Sequence, residues 1–153
     1  MPRPLAFVLM SVIALAGAPH LHAQRFISLG LAAGLPAANP ELQHGMVTVE
    51  VGPLIFLSRF RADLTIYDGP TTGAVAQAAG SLIVPFIDRP LSPYFIAGLA
   101  FNLTDRTASP SAIQESARAG LGLRYRVGER TVFAESVRHW GVERALLTIG
   151  VQF

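Results

Sequence analysis

The chain contains no cysteine and no lysine, and charge of either sign is scarce. Without cysteine there is no disulfide framework and no thiol chemistry, and the redox compartment leaves no mark. Every basic residue is arginine, a bias that reads as genome composition. Charged residues make up 14% of the chain, against about 25% in an ordinary soluble domain. The pI is near 9.7, but the formal net charge is only +2. No run of arginines builds a nucleic-acid footprint, so no nucleic-acid partner is expected. Long hydrophobic runs are missing too once residue 18 is passed, although 51% of the residues are apolar and the mean hydropathy is +0.43. A spanning helix needs about 20 consecutive apolar residues, so the apolar residues must be dispersed by another architecture. The length, 153 residues, suits one domain.

The amino terminus carries a targeting pattern. Arg3 supplies a short positive region, Leu5 through Ala18 an apolar stretch, and Pro19 breaks it. Leu21-His22-Ala23 then offers a cleavage box before Gln24. Residues 1–23 are therefore expected to be a signal peptide, and 24–153 the exported domain.

Beyond the leader the chain has period two. Phe95, Ala97, Leu99, Phe101 and Leu103 alternate with Tyr94, Ile96, Gly98, Ala100 and Asn102. Ala117, Ala119, Leu121, Leu123, Tyr125 and Val127 alternate with Ser116, Arg118, Gly120, Gly122, Arg124 and Arg126. Near the end, Leu147, Ile149, Val151 and Phe153 alternate with Leu146, Thr148, Gly150 and Gln152. Successive strand side chains point to opposite faces, so each segment has one oily face and one polar or small one. A helix would need period 3.6, which is not seen.

Turns placed at the Gly, Pro and Asp clusters give eight strands, near 25–33, 44–51, 54–67, 73–86, 92–103, 114–127, 130–140 and 143–153. Most approach the roughly 9–11 residues that a tilted strand needs to cross a bilayer. Short turns at Gly52-Pro53 and Gly128-Glu129 are expected on one rim, and a long loop near 103–115 on the other. A two-residue turn at Gly128-Glu129 sets Val127 against Arg130, Arg124 against Phe133 and Gly122 against Glu135. The same exercise at Gly52-Pro53 sets Val51 against Leu54.

The strings SPYFIAGLAFNL, GLGLRYRVGERTVFAESVRHW and LLTIGVQF resemble the bacterial outer-membrane β-barrel domain family, of the small OmpA/OmpX/OmpW-like kind. The resemblance covers the whole of 24–153, and it rests on alternation rather than on fixed residues. It implies an all-β, eight-stranded, antiparallel up-and-down transmembrane barrel in the bacterial outer membrane, reached through the periplasm. It also implies that Leu147, Ile149, Val151 and Phe153 are the signal read by the barrel-assembly machinery. Outer-membrane lipid is then the other partner, and a monomer is expected.

Physics gives the same closure. Lipid cannot satisfy backbone N–H and C=O groups, so a sheet in a bilayer has no free edge. The outward row faces acyl chains, with aromatics near the two interfaces. Phe56, Phe86, Phe95, Tyr125 and Phe153 fall near one set of strand ends, Trp140 and Tyr67 near the other. The inward face carries the charge: Glu50, Arg59, Arg61, Asp63, Arg118, Arg124, Arg126 and Glu135. An eight-stranded bore is narrow enough for side chains to fill. Buried charges must be paired, so an arginine–carboxylate network is the expected solution, with Glu135 compensating Arg124. A polar or anionic ligand site is the alternative, since arginines outnumber acids there. Arg138 falls on the outward row, at the rim, where it can snorkel.

Catalysis finds little support. Only His44 and His139 lie beyond the leader, both near strand ends on the long-loop side. Ser136, His139 and Glu143 invite a lipid-modifying hydrolase reading, but Ser136 and His139 have opposite strand parity. Two histidines without a third ligand make no metal site, and Gly120-Leu121-Gly122 sits mid-strand with no following helix, so it is no phosphate loop. No cofactor is expected. Asn102-Leu103-Thr104 matches a glycosylation acceptor, which has no bearing in bacterial export. The expected function is a non-enzymatic outer-membrane barrel with a filled lumen, structural or surface-interacting. In the interacting case the loop Thr104–Ser116, with Asp105, Arg106 and Ser109-Pro110, is the contact region. A soluble, exported, lipocalin-like barrel for a hydrophobic ligand is the alternative, and it would invert the two faces.

Overall fold

The computed structural model of the chain describes residues 26–36, 43–55, 57–69, 73–87, 89–103, 116–140 and 145–153. The expected leader lies outside them. Eight strands run in order: β1 (Ile27–Pro36), β2 (Gln43–Val51), β3 (Arg59–Gly69), β4 (Gly73–Pro85), β5 (Leu91–Asn102), β6 (Ser116–Val127), β7 (Arg130–His139) and β8 (Ala145–Gln152). Each pairs antiparallel with its chain neighbour, and β8 returns to β1 to close the barrel. Closure leaves none of the eight strands with a free edge.

The alternation read from sequence is the alternation of burial. Along β2, His44, Met46, Thr48 and Glu50 are buried while Val47 and Val49 are exposed. Along β3, Arg61, Asp63, Thr65 and Tyr67 are buried while Leu64 and Ile66 are exposed. Polar and charged side chains thus lie inside the barrel, and a belt of Leu, Ile, Val and Phe covers its outside. A soluble domain has the reverse arrangement.

The stagger of the sheet sets the bore. Phe26 lies beside Gly52, and stepping on through Arg59, Ile83, Ile96, Gly120, Val137 and Leu146 returns to β1 at Pro36, ten residues along. Such a shear tilts the strands, and with eight of them the interior is only wide enough for side chains.

Of the two registers expected from the turns, one differs. The β6–β7 turn at Gly128-Glu129 pairs Val127 with Arg130 and Gly122 with Glu135, as expected. Gly128 takes φ +61°, which costs a glycine nothing. Val51, however, pairs with Phe60 rather than Leu54, and β3 starts at Arg59. The chain runs on through residues 52–58, with Leu57 at φ 67°. The shift is six residues, an even number, so no side chain changes face.

We call the end where β1 begins and β8 finishes the lower rim. Its connections span 52–58, 86–90 and 128–129, while the upper ones span 37–42, 70–72, 103–115 and 140–144. The expected division into short and long rims therefore fails between 52–58 and 70–72.

Candidate functional site

The interior charges sort into layers. At the lower end, Glu50 of β2 is 1% exposed. Its Oε1 accepts from Arg59 at 3.1 Å and Arg124 at 3.4 Å, and its Oε2 accepts from the Gln152 amide at 2.8 Å. Arg126 shares the inward parity but lies exposed at the lower mouth.

The middle layer is the most buried. Arg61 donates from both terminal nitrogens to the two oxygens of Glu135, each at 2.8 Å. This fork is the geometry that makes arginine–carboxylate pairs strong. Arg61 Nε lies 2.9 Å from Asp63 Oδ1, though the two are not aligned as a hydrogen bond, so that contact is electrostatic. Asp63 Oδ2 accepts from Arg118, whose Nε also donates to Ser81 Oγ at 2.9 Å. The Tyr94 hydroxyl donates to Glu135 Oε2 at 2.9 Å. The Arg61 guanidinium lies over the Phe133 ring at 5.8 Å and that of Arg124 over the Tyr94 ring at 5.9 Å, within reach of a cation–π attraction.

The upper layer is neutral in composition. Tyr67 donates to Gln77 Oε1 at 3.3 Å, and Gln77 donates to Asn102 Oδ1 at 3.1 Å. His44 Nε2 lies 3.0 Å from Thr148 Oγ1, and His139 Nδ1 lies 3.2 Å from Ser116 Oγ. The Tyr67 ring sits against His44, centroids 5.5 Å apart. Tyr67 is therefore an interior residue at 3% exposure, not a membrane-interface aromatic as its place near a strand end suggested. Its odd parity on β3 governs its direction.

Space for the large inward side chains comes from glycines directly across the sheet. Tyr94 pairs with Gly122 and Phe133 with Gly150. A Cβ at either glycine would collide with the ring that lies over it. Between Glu50, Arg61, Tyr94, Arg124, Phe133 and Gln152 the remaining gap is too small for a water molecule.

Arginine and carboxylate partners differ in part from expectation. Glu135 meets Arg61 rather than Arg124, which turns to Glu50. Tyr94, Ser81, Gln152 and Phe133 also join the network, beyond the charged set expected from sequence. Their signal is strand parity, since each sits on the inward row of its strand.

Other candidate residues are dispersed. His139 points inward and is buried, while Ser136, three positions earlier, is half-buried on the outward row. Glu143, Phe56 and the loop 104–115 lie outside the described residues. Among the described residues, no group of three or more His, Cys, Asp or Glu could hold a metal ion. Arg138 is outward and exposed. Phe86, Phe95, Tyr125 and Phe153 are outward and exposed toward the lower end, and Trp140 is 80% exposed at the upper end.

The closing strand holds β1. Leu147 and Ile149 are exposed on the outside, and Val151 is half-buried there. Phe153 exchanges backbone bonds with Leu29: its N–H donates to Leu29 O at 2.8 Å, and it accepts from Leu29 N–H at 3.3 Å. The Arg130 guanidinium lies over the Phe153 ring, 5.6 Å from its centroid.

No protein-family model and no curated protein sequence matches the chain. Solved structures do. The crystal structure of the N-terminal β-barrel domain of Pseudomonas aeruginosa OprF aligns with a TM-score of 0.66 at 19% identity, over 85% of this chain and 97% of that one. A chain from the de novo design of transmembrane β-barrels aligns with a TM-score of 0.60 at 15% identity, over 84% of this chain and 93% of that one. The chain has the fold of the small outer-membrane β-barrels.

Proposed function

We propose that this is a bacterial outer-membrane barrel whose bore is closed by its own side chains. In this reading it is exported through the periplasm and works as a structural or surface-interaction protein, neither a general pore nor an enzyme. The observation that carries the reading is the Arg61–Glu135 fork, which joins β3 to β7 across the full width of an eight-stranded ring. An ion pair at that place obstructs the bore at mid-height, and Arg118, Asp63 and Ser81 thicken the obstruction. Each of these charges has a partner, which is what keeping it in a low-dielectric interior requires.

The orientation of the two faces supports a membrane barrel over a soluble carrier of hydrophobic ligands. A lipocalin-like barrel would line its interior with the apolar row, whereas here that row is outside. Ser136 and His139 lie on opposite faces of β7, so that pair does not act as nucleophile and base, which must share a hydrogen bond. Leu147, Ile149, Val151 and Phe153 would be read by the assembly machinery before the closing strand joins β1. Loops of the upper rim would present the surface for partners.

Planar-bilayer recording tests the proposal. The purified protein should give no large, stable conductance, and a porin-sized current would overturn it. Membrane fractionation with heated and unheated gel samples tests the location, because a closed barrel resists unfolding in detergent and migrates differently before boiling. Recovery from the soluble periplasmic fraction would instead favour the soluble carrier.

A further inference from the structure

The lower connections differ in chemistry from one side of the barrel to the other. The β6–β7 turn exposes Glu129, flanked by Arg126 and Arg130. The β2–β3 connection, residues 52–58, contains no charged residue. Its Leu54, Ile55 and Leu57 are exposed, Ile55 at 68%. These two connections stand diametrically opposite, four strands apart in a ring of eight.

Part of the β2–β3 tip's backbone is paired within the tip. Pro53 brings no N–H. Leu54 N–H donates to Ser58 O at 2.7 Å, and Ser58 N–H donates to Ile55 O at 2.9 Å. The Ser58 hydroxyl donates to Ile55 O as well. Such bonds are compatible with a lipid setting, where no solvent is there to replace a missing one. Exposed Phe26 and Phe60 stand at the base of the tip, beside Gly52 and Val51, and Phe86 and Ile87 of the next lower connection are exposed as well.

We propose that the β2–β3 tip is a lipid-inserted lip, seated at the acyl-chain boundary of a phospholipid leaflet, so that the barrel tilts toward β2–β3 and leaves the β6–β7 turn in water. The partner is phospholipid: an uncharged tip with Leu54, Ile55 and Leu57 exposed suits acyl chains and offers nothing to a charged surface. The inference rests on the membrane-barrel reading. The tilt comes from the opposition of the two connections, since both cannot reach their preferred surroundings in an upright barrel.

The absence of cysteine makes the test direct. Ile55→Cys, Glu129→Cys and Leu121→Cys in the full chain each carry one fluorescent label, and folding in phosphatidylcholine vesicles is checked by the unheated gel shift. Should Ile55→Cys fail to shift, Leu54→Cys on the same tip replaces it. Acyl-brominated phosphatidylcholine should quench the labels at 121 and 55, and iodide in the water should quench the label at 129. Quenching at 121 with water-side behaviour at 55 overturns the lip and leaves the membrane barrel intact. Loss of lipid quenching at 121 overturns the membrane reading itself, and the lip with it.

Discussion

Arg61 and Glu135 are 74 residues apart in the chain and meet through two parallel hydrogen bonds of 2.8 Å in the middle of the barrel. β3 and β7, which carry them, share no backbone hydrogen bond and face each other across the bore. The pair therefore acts as a strut whose length matches the interior.

Glu135→Ala should cost about 3–5 kcal/mol, the usual range when one partner of a buried ion pair is removed. Asp63 remains beside Arg61 and should hold the loss to the lower part of that range. Removing both ends together, Arg61→Met with Glu135→Leu, should recover most of it, since the uncompensated charge is gone. Urea unfolding in lipid vesicles, followed by the mobility of unheated samples, reads both.

Gly122→Val should act through a residue on the next strand. The new side chain takes the space under the Tyr94 ring and drives its hydroxyl away from Glu135. Overpacking of this kind costs about 1–3 kcal/mol. Tyr94→Ala in the same chain should relieve part of the cost, and a double-mutant cycle measures that coupling. Strict additivity would show that the ring and the glycine do not depend on one another.

On the outside, Leu121→Arg near the middle of β6 should cost about 2–4 kcal/mol, the penalty for a cation on a lipid face at mid-bilayer depth. Single cysteines from Gly120 to Tyr125 provide a finer check. Lipid-soluble quenchers should reach labels at Leu121 and Leu123 but not at Gly122 or Arg124. Equal water access on both rows would contradict a transmembrane sheet.

The fold is legible in the sequence because one face of every strand is oily and the other is not, and a period of two survives errors in strand ends. The β6–β7 register is legible as well, since Gly128 marks a tight turn. The β2–β3 register is not. Residues 53–57 are all apolar and resemble a strand, while the chain in fact crosses them with Leu57 at positive φ and begins β3 at Arg59. Parity gives the direction of the inward charges, but not their partners. Glu135 stands beside Gly122 in its own hairpin and reaches instead for β3, a choice fixed by the bore's width and by the stagger around the ring. Tyr67 shows the converse, where parity on the strand outranks nearness to its end.

The backbone exchange between Leu29 and Phe153 has a consequence for the order of events in folding. Seven of the eight strand pairings join chain neighbours and can form as hairpins, the longest connection being 103–115. The eighth joins the first strand to the last, so β1 must keep one side unsatisfied until β8 arrives. Any partial barrel is therefore an open ribbon with two sticky borders, and only the final seam turns it into a ring.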